Sequence, residues 1–221
     1  MRAGARGFSL VELVVSTAIM LAVTGSMVVL AHSARTVFEI DLERTDMQQR
    51  ARVSMEAMFK DLVMAGAGMQ LPAIAPFRRG IESPDVAGSA FHDRISVRYV
   101  PPDAAAVDAV TITYALRPDA AGALQLTRYD GRSTELPVAD QVVALRFEYF
   151  DAAGAPIDVA RFADGPWVPN AVAAERFDAD LQAVRRVRAL VRVRPARSFA
   201  GVPIAEVDVQ MDVAPRNVNF P

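Results

Sequence analysis

From Phe8 to Ala31 the chain is apolar apart from a few small polar residues, and Glu12 is its only charged residue. A run of this length can cross a bilayer as a helix, because about 20 residues rising ~1.5 Å each cover the ~30 Å hydrocarbon layer. A lone carboxylate at that depth costs roughly 2.5–3.5 kcal/mol on insertion scales, so Glu12 calls for a cationic partner. Arg2 and Arg6 precede the run. By the positive-inside rule they hold the N-terminus in the cytoplasm and place everything after Ala31 beyond the membrane.

Proteolysis could make the missing cation. A cut between Gly7 and Phe8 would remove both arginines and leave a free α-amino group on Phe8, four residues before Glu12. Residues four apart share a helix face about one turn apart. The Glu12 of one chain could therefore meet the new N-terminus of a neighbour shifted along the axis.

A short basic leader ending in glycine, followed by Phe8-Ser9-Leu10-Val11-Glu12 and an apolar stretch, resembles the N-terminus of type IV pilins and type II secretion pseudopilins. The resemblance implies that a prepilin peptidase cuts after Gly7, that Phe8 is N-methylated, and that Glu12 sets the register during assembly. It implies as partners the peptidase, other pilins or pseudopilins, an inner-membrane assembly platform, and membrane lipid before assembly. Three alternatives compete. A cleaved secretory signal would have a shorter apolar core and a better small-x-small site than Ala31-His32-Ser33. A plain signal-anchor leaves Glu12 without a role, and a buried soluble helix rarely stays apolar for so long.

With 221 residues, one membrane segment and one globular domain is the natural division. The formal charge of −2 does not suggest a polyanion binder, and losing the leader makes it more negative. There is no cysteine, which excludes thiolate zinc sites, thiol catalysis and disulfides; Lys60 is the sole lysine. No nucleophile elbow, dinucleotide loop or phosphate loop is present. The chain is read as a substrate of an enzyme and not as one itself, with no cofactor. His92-Asp93, and Asp178 with Asp180, are candidate metal or calcium ligands that lack a spaced third donor.

Beyond the membrane the helix is expected to continue. No proline or glycine occurs from His32 to Ala65, and Val37, Ile40, Met47, Ala51, Met55, Met58 and Leu62 recur at helical spacing. Gly66 and Gly68 supply a stop. Residues 67–93 read as a connector loop, and Pro156 to Asp180 as a second long connection around Trp167. Between and after them come period-two stretches: Ile95 to Tyr99, Val110 to Leu116, Leu124 to Leu126, and Val143 to Tyr149.

The last two strands are amphipathic in charge. Val184 to Arg194 puts Arg186, Arg188, Arg192 and Arg194 on one face, and Ile204 to Val213 puts Glu206, Asp208 and Asp212 on one face. Antiparallel pairing would set the basic row against the acidic one, with Arg192 opposite Glu206 and Arg188 opposite Gln210, or the same faces after a slip by two. A nucleic-acid partner is therefore not expected.

Three short patterns are similar to PilW-type minor pilins: Asp61 to Gly66 at the helix end, Phe147 to Asp151 running into Gly154, and Arg216-Asn217. J-type pseudopilins of type II secretion share the second. The expected fold is α+β, a long N-terminal helix packed on an antiparallel sheet of four or more strands. The segments are a leader over 1–7, a membrane or filament-core helix over 8–31, its amphipathic continuation over 32–66, and an extracytoplasmic sheet domain over 67–221. The function this implies is a minor subunit of a type IV pilus or related filament, anchored in the inner membrane before assembly. A secretion pseudopilin and a non-polymerising, signal-anchored periplasmic binding protein are the alternatives.

Overall fold

The computed structural model describes residues 9–69, 73–77, 94–101, 109–131, 135–163, 165–169, 176–199 and 202–217. Gly7, Phe8, His92 and Asp93 lie outside them. The fold is α+β. One helix, α1 (Leu10–Met64), runs for 55 residues without a break. Gly25 does not interrupt it.

The chain divides within α1 into two compact units, Met1–Arg44 and Thr45–Pro221. In the first, the large apolar side chains from Leu10 to Leu30 are exposed around the whole helix. The second unit holds the rest of α1 and all the strands. Here the helix is amphipathic in fact as well as in pattern, with Met47, Met58 and Leu62 fully buried and Ala51 and Met55 nearly so. Val37, expected to open this stripe, is 59% exposed. By its period it falls on the side of the stripe, but it belongs to the first unit, whereas Met47 to Leu62 belong to the second together with the strands.

α1 ends where glycine permits it. Gly66 has φ 81° and Gly68 φ 69°, in the left-handed region that side chains other than glycine's disfavour. The Gly66 N–H donates to the Arg98 carbonyl at 2.9 Å. A Cβ on Gly66 would stand 2.7 Å from the Asn217 carbonyl oxygen, so the helix stop is also a point of close backbone approach.

The strands are β1 (Ile74–Phe77), β2 (Arg94–Tyr99), β3 (Val110–Pro118), β4 (Leu124–Tyr129), β5 (Leu136–Asp140), β6 (Val142–Phe150), β7 (Pro156–Ile157), β8 (Trp167–Pro169), β9 (Arg176–Asp178), β10 (Arg186–Val193) and β11 (Val207–Val213). A five-stranded sheet has the meander order β1-β2-β3-β4-β5, and a four-stranded sheet the order β11-β10-β6-β7. β8 and β9 form a small pair of their own. Every pairing is antiparallel. Both large sheets contribute to one hydrophobic cluster with α1, through Ile95, Tyr114 and Leu126 of the first and Leu145, Val187 and Val191 of the second. Burying each large apolar side chain there stabilises the fold by roughly 1.5–3 kcal/mol.

Three expectations change. The stretch read as a loop over 67–93 contains a strand, β1, whose Ile74 pairs with Val97 and is buried. Four residues containing Pro76 are too short to show a period, so the partner strand decides their state. The stretch from Pro156 to Asp180 is likewise cut into short strands and a 3₁₀ turn over Val159–Ala163. The last hairpin takes the slipped register, with Arg192 opposite Asp208 and Arg188 opposite Asp212. A slip by two keeps every side chain on its face, so hydrophobic pattern alone cannot choose between the two.

Candidate functional site

Glu12 sits in the first turn of α1. Its Oε2 lies 3.5 Å from the Ser9 N–H, a long contact near a helix start. That is the one hydrogen bond of its carboxylate among the described residues. Four hydroxyls along this part of α1 are instead satisfied within the helix. Ser16 donates to the Glu12 carbonyl at 2.7 Å, Thr17 to Val14 at 2.9 Å, Ser26 to Val23 at 2.8 Å and Ser33 to Val29 at 3.1 Å. Such back-bonding is what a helix needs in a medium without water. The segment is long and apolar enough to cross a membrane. Its side chains therefore ask for cover, and its carboxylate for a cation, that the described chain does not supply.

At the other end of α1 a second carboxylate is fully provided for. Asp61 is 6% exposed. Tyr114 Oη lies 2.6 Å from its Oδ2, and Tyr99 Oη donates to Oδ1 at 3.1 Å. Arg128 holds both oxygens, through Nε at 2.8 Å and a terminal nitrogen at 3.3 Å. Tyr114 Oη is also 2.9 Å from the Ala57 carbonyl, but its one proton belongs on the shorter, charge-assisted contact. β2, β3 and β4 thus each send a donor to one helix residue. Burial, and then Asp61 itself, push the Tyr99 and Tyr114 hydroxyls above their ordinary range. The hydrogen bond to Asp61 raises Arg128 further above its own.

This cluster was missed from sequence. The signal was present, since Asp61 lies three residues after Met58 and four before Ala65 on the buried side of the helix. An acid on an apolar stripe demands a partner, by the same reasoning that singled out Glu12. The cluster ties the helix to the sheet and leaves no carboxylate oxygen for an outside ligand.

The arginine face of β10 is paired. Arg188 donates to both Asp212 oxygens at 2.8 and 3.2 Å and reaches Glu148 at 3.4 Å. Arg192 donates to both Asp208 oxygens at 2.6 and 2.9 Å, with Glu206 at 3.6 Å. Arg186 lies over the Phe150 ring at 4.2 Å, and Arg194 bonds the Gln141 side chain at 2.8 Å. Hydrogen bonds from Arg192 and Arg188 hold the Asp208 and Asp212 carboxyls below the usual carboxylate range.

Asp178, considered as a calcium ligand, is buried and structural. It accepts from the backbone N–H of Asp180 at 2.8 Å and of Gly165 at 2.9 Å, and so caps the 3₁₀ turn Ala179–Ala183. Asp180 faces Arg161 at 3.3 Å. Among the described residues no three His, Cys, Asp or Glu side chains gather as a metal site.

The three short patterns near Asp61, Asp151 and Asn217 all do structural work. Asp61 anchors the cluster, and Gly66 abuts Asn217. Asp151 closes the turn after β6, accepting from the Gly154 and Ala155 N–H groups at 3.1 and 2.8 Å. No family model matches the chain, and no curated protein matches it.

Proposed function

We propose that the chain is a minor subunit of a type IV pilus or related secretion filament, cleaved by a prepilin peptidase and assembled through α1. The observation that carries this reading is the exposed, apolar first part of α1 with Glu12 in its first turn, short of a partner among the described residues. A membrane anchor alone accounts for the apolar side chains, but the carboxylate has a use only if a cation arrives. The amino group that cleavage after Gly7 would leave on Phe8 of a neighbouring subunit is such a cation. In this reading the apolar helices bundle in the filament, and a wrong stagger leaves a carboxylate unpaired in an apolar medium, which sets the axial register. Before assembly the subunit sits in the inner membrane with its sheet domain outside the cytoplasm.

Intact-mass analysis of the protein purified from membranes tests the reading directly. The expected mature chain starts at Phe8 and carries one N-methyl group, and Gly7→Ala slows or blocks the cut. Retention of residues 1–7 in the mature protein would refute it and leave a plain anchor. Deleting the gene then separates the two kinds of filament, loss of surface pili or twitching pointing to one and loss of exoprotein secretion to the other.

A further inference from the structure

The four-stranded sheet ends in an unfinished edge. β11 is its outermost strand, and among the described residues only β10 pairs with it. Each of the other three edges of the two large sheets carries a proline: Pro76 in β1, Pro137 in β5 and Pro156 in β7. Proline and short length are the ordinary means of closing an edge to further pairing. β11 has neither, with seven residues in unbroken register against β10.

Its inner face is also incomplete. Val187, Ala189, Val191 and Val193 of β10 are at most 1% exposed. One strand further out, Val207, Val209 and Met211 touch the same core but are only half-buried. On the outer face Arg188 lies between Glu148 of β6, itself beside Arg146, and Asp212 of β11, while Arg192 lies between Ala144 and Asp208. A strand laid beyond β11 would meet Asp208 and Asp212 on their open side, where basic residues are the favourable neighbours.

Pairing with a second copy of β11 over its whole length is disfavoured, because the antiparallel register centred on Gln210 would set Asp208 of each copy against Asp212 of the other, and like charges directly opposite are destabilising. We propose that β11 is a docking edge for a strand from a different polypeptide, one with basic residues spaced to meet Asp208 and Asp212 and apolar residues between them. The main-chain ladder supplies the affinity and the signs supply the choice of partner. The inference is independent of whether the chain is cleaved or polymerises.

The test uses the full chain in detergent micelles at low ionic strength, with two fluorescent seven-residue peptides. Both have valine at alternate positions; the others are Arg, Gln and Arg in one peptide and Glu, Gln and Glu in the other. The basic peptide is expected to bind and to slow amide hydrogen exchange over residues 207–213, and the acidic one to do neither. Gln210 faces solvent opposite Leu190, so changing it leaves both ion pairs in place. Gln210→Arg should weaken the basic peptide about threefold and Gln210→Glu strengthen it similarly, the range expected of one exposed charge pair. Equal binding of both peptides, protection outside β11, or indifference to both Gln210 variants would overturn the proposal. So would failure of the basic peptide to bind, which would make the acidic row a guard against aggregation only.

Discussion

The two ends of α1 treat a carboxylate in opposite ways. Asp61 is buried, and four donor contacts from Tyr99, Tyr114 and Arg128 meet it at 2.6–3.3 Å. Glu12 lies among exposed apolar side chains, with one backbone N–H at 3.5 Å. One charge is answered inside its own chain and so contributes to folding. The other is answered by nothing among the described residues, and a function that needs a second molecule is the natural use for it. Mutating the two should therefore move different observables.

The largest expected effect is on Asp61. Replacing it with Ala leaves Arg128 and the Tyr99 hydroxyl without this acceptor and Tyr114 with only the Ala57 carbonyl, and breaking a buried pair from one side costs about 3–5 kcal/mol. In denaturant melts of the detergent-solubilised chain Asp61→Ala should fall by that much, while Glu12→Ala should melt like the parent. On the filament reading proposed above the order reverses in sheared filaments, Glu12→Ala being depleted despite normal folding, with Glu12→Gln separating charge from shape. Equal melting losses for the two variants would break the contrast.

Gly66→Ala comes next. It forces a side chain into positive φ and against the Asn217 carbonyl, at a cost of about 1–3 kcal/mol. A variant as stable as the parent would show that the C-terminal segment yields freely.

Tyr114→Phe should cost less, about 1–2 kcal/mol, because Tyr99 and Arg128 still hold Asp61. It should also change the alkaline limb of stability. Tyr114 and Tyr99 are raised in the folded protein, so their contribution is intact below the unfolded value near pH 10. It is lost as pH rises past 10, where the unfolded chain releases these protons first. Stability should drop above pH 10 in the parent and less steeply in Tyr114→Phe, read as denaturant midpoint against pH.

The smallest effect is expected on the surface of β10. Arg192→Ala removes an exposed pair, and its melting midpoint should shift little. Asp208 and Asp212 are lowered in the fold, so their contribution is present above about pH 3.8 and fades as pH falls below it. A loss for Arg192→Ala as large as that for Asp61→Ala would mean that burial is not what separates the two kinds of ion pair.

Periodicity carried much of this architecture. The first part of α1 follows from an uninterrupted apolar run, its second part and the strands β2, β3, β6 and β10 from 3.6- or two-residue patterns, and the alternating charges of β10 and β11 fall on the faces their sequence demands. Glu12 could be found in the same way, as the one charge in an apolar run. Each of these is a local relation, readable because neighbours in sequence are neighbours on a helix face or a strand.

What the tertiary structure decided is non-local. β1 is a strand because β2 offers it a ladder, and Arg192 meets Asp208 because the hairpin closes two residues away from the register that spacing suggested. Asp61 finds Arg128, and Gly66 finds Asn217, across separations that no period spans. Pattern assigns each side chain to a face, but which residue it meets there depends on how separate elements pack, and that is settled only when the core closes.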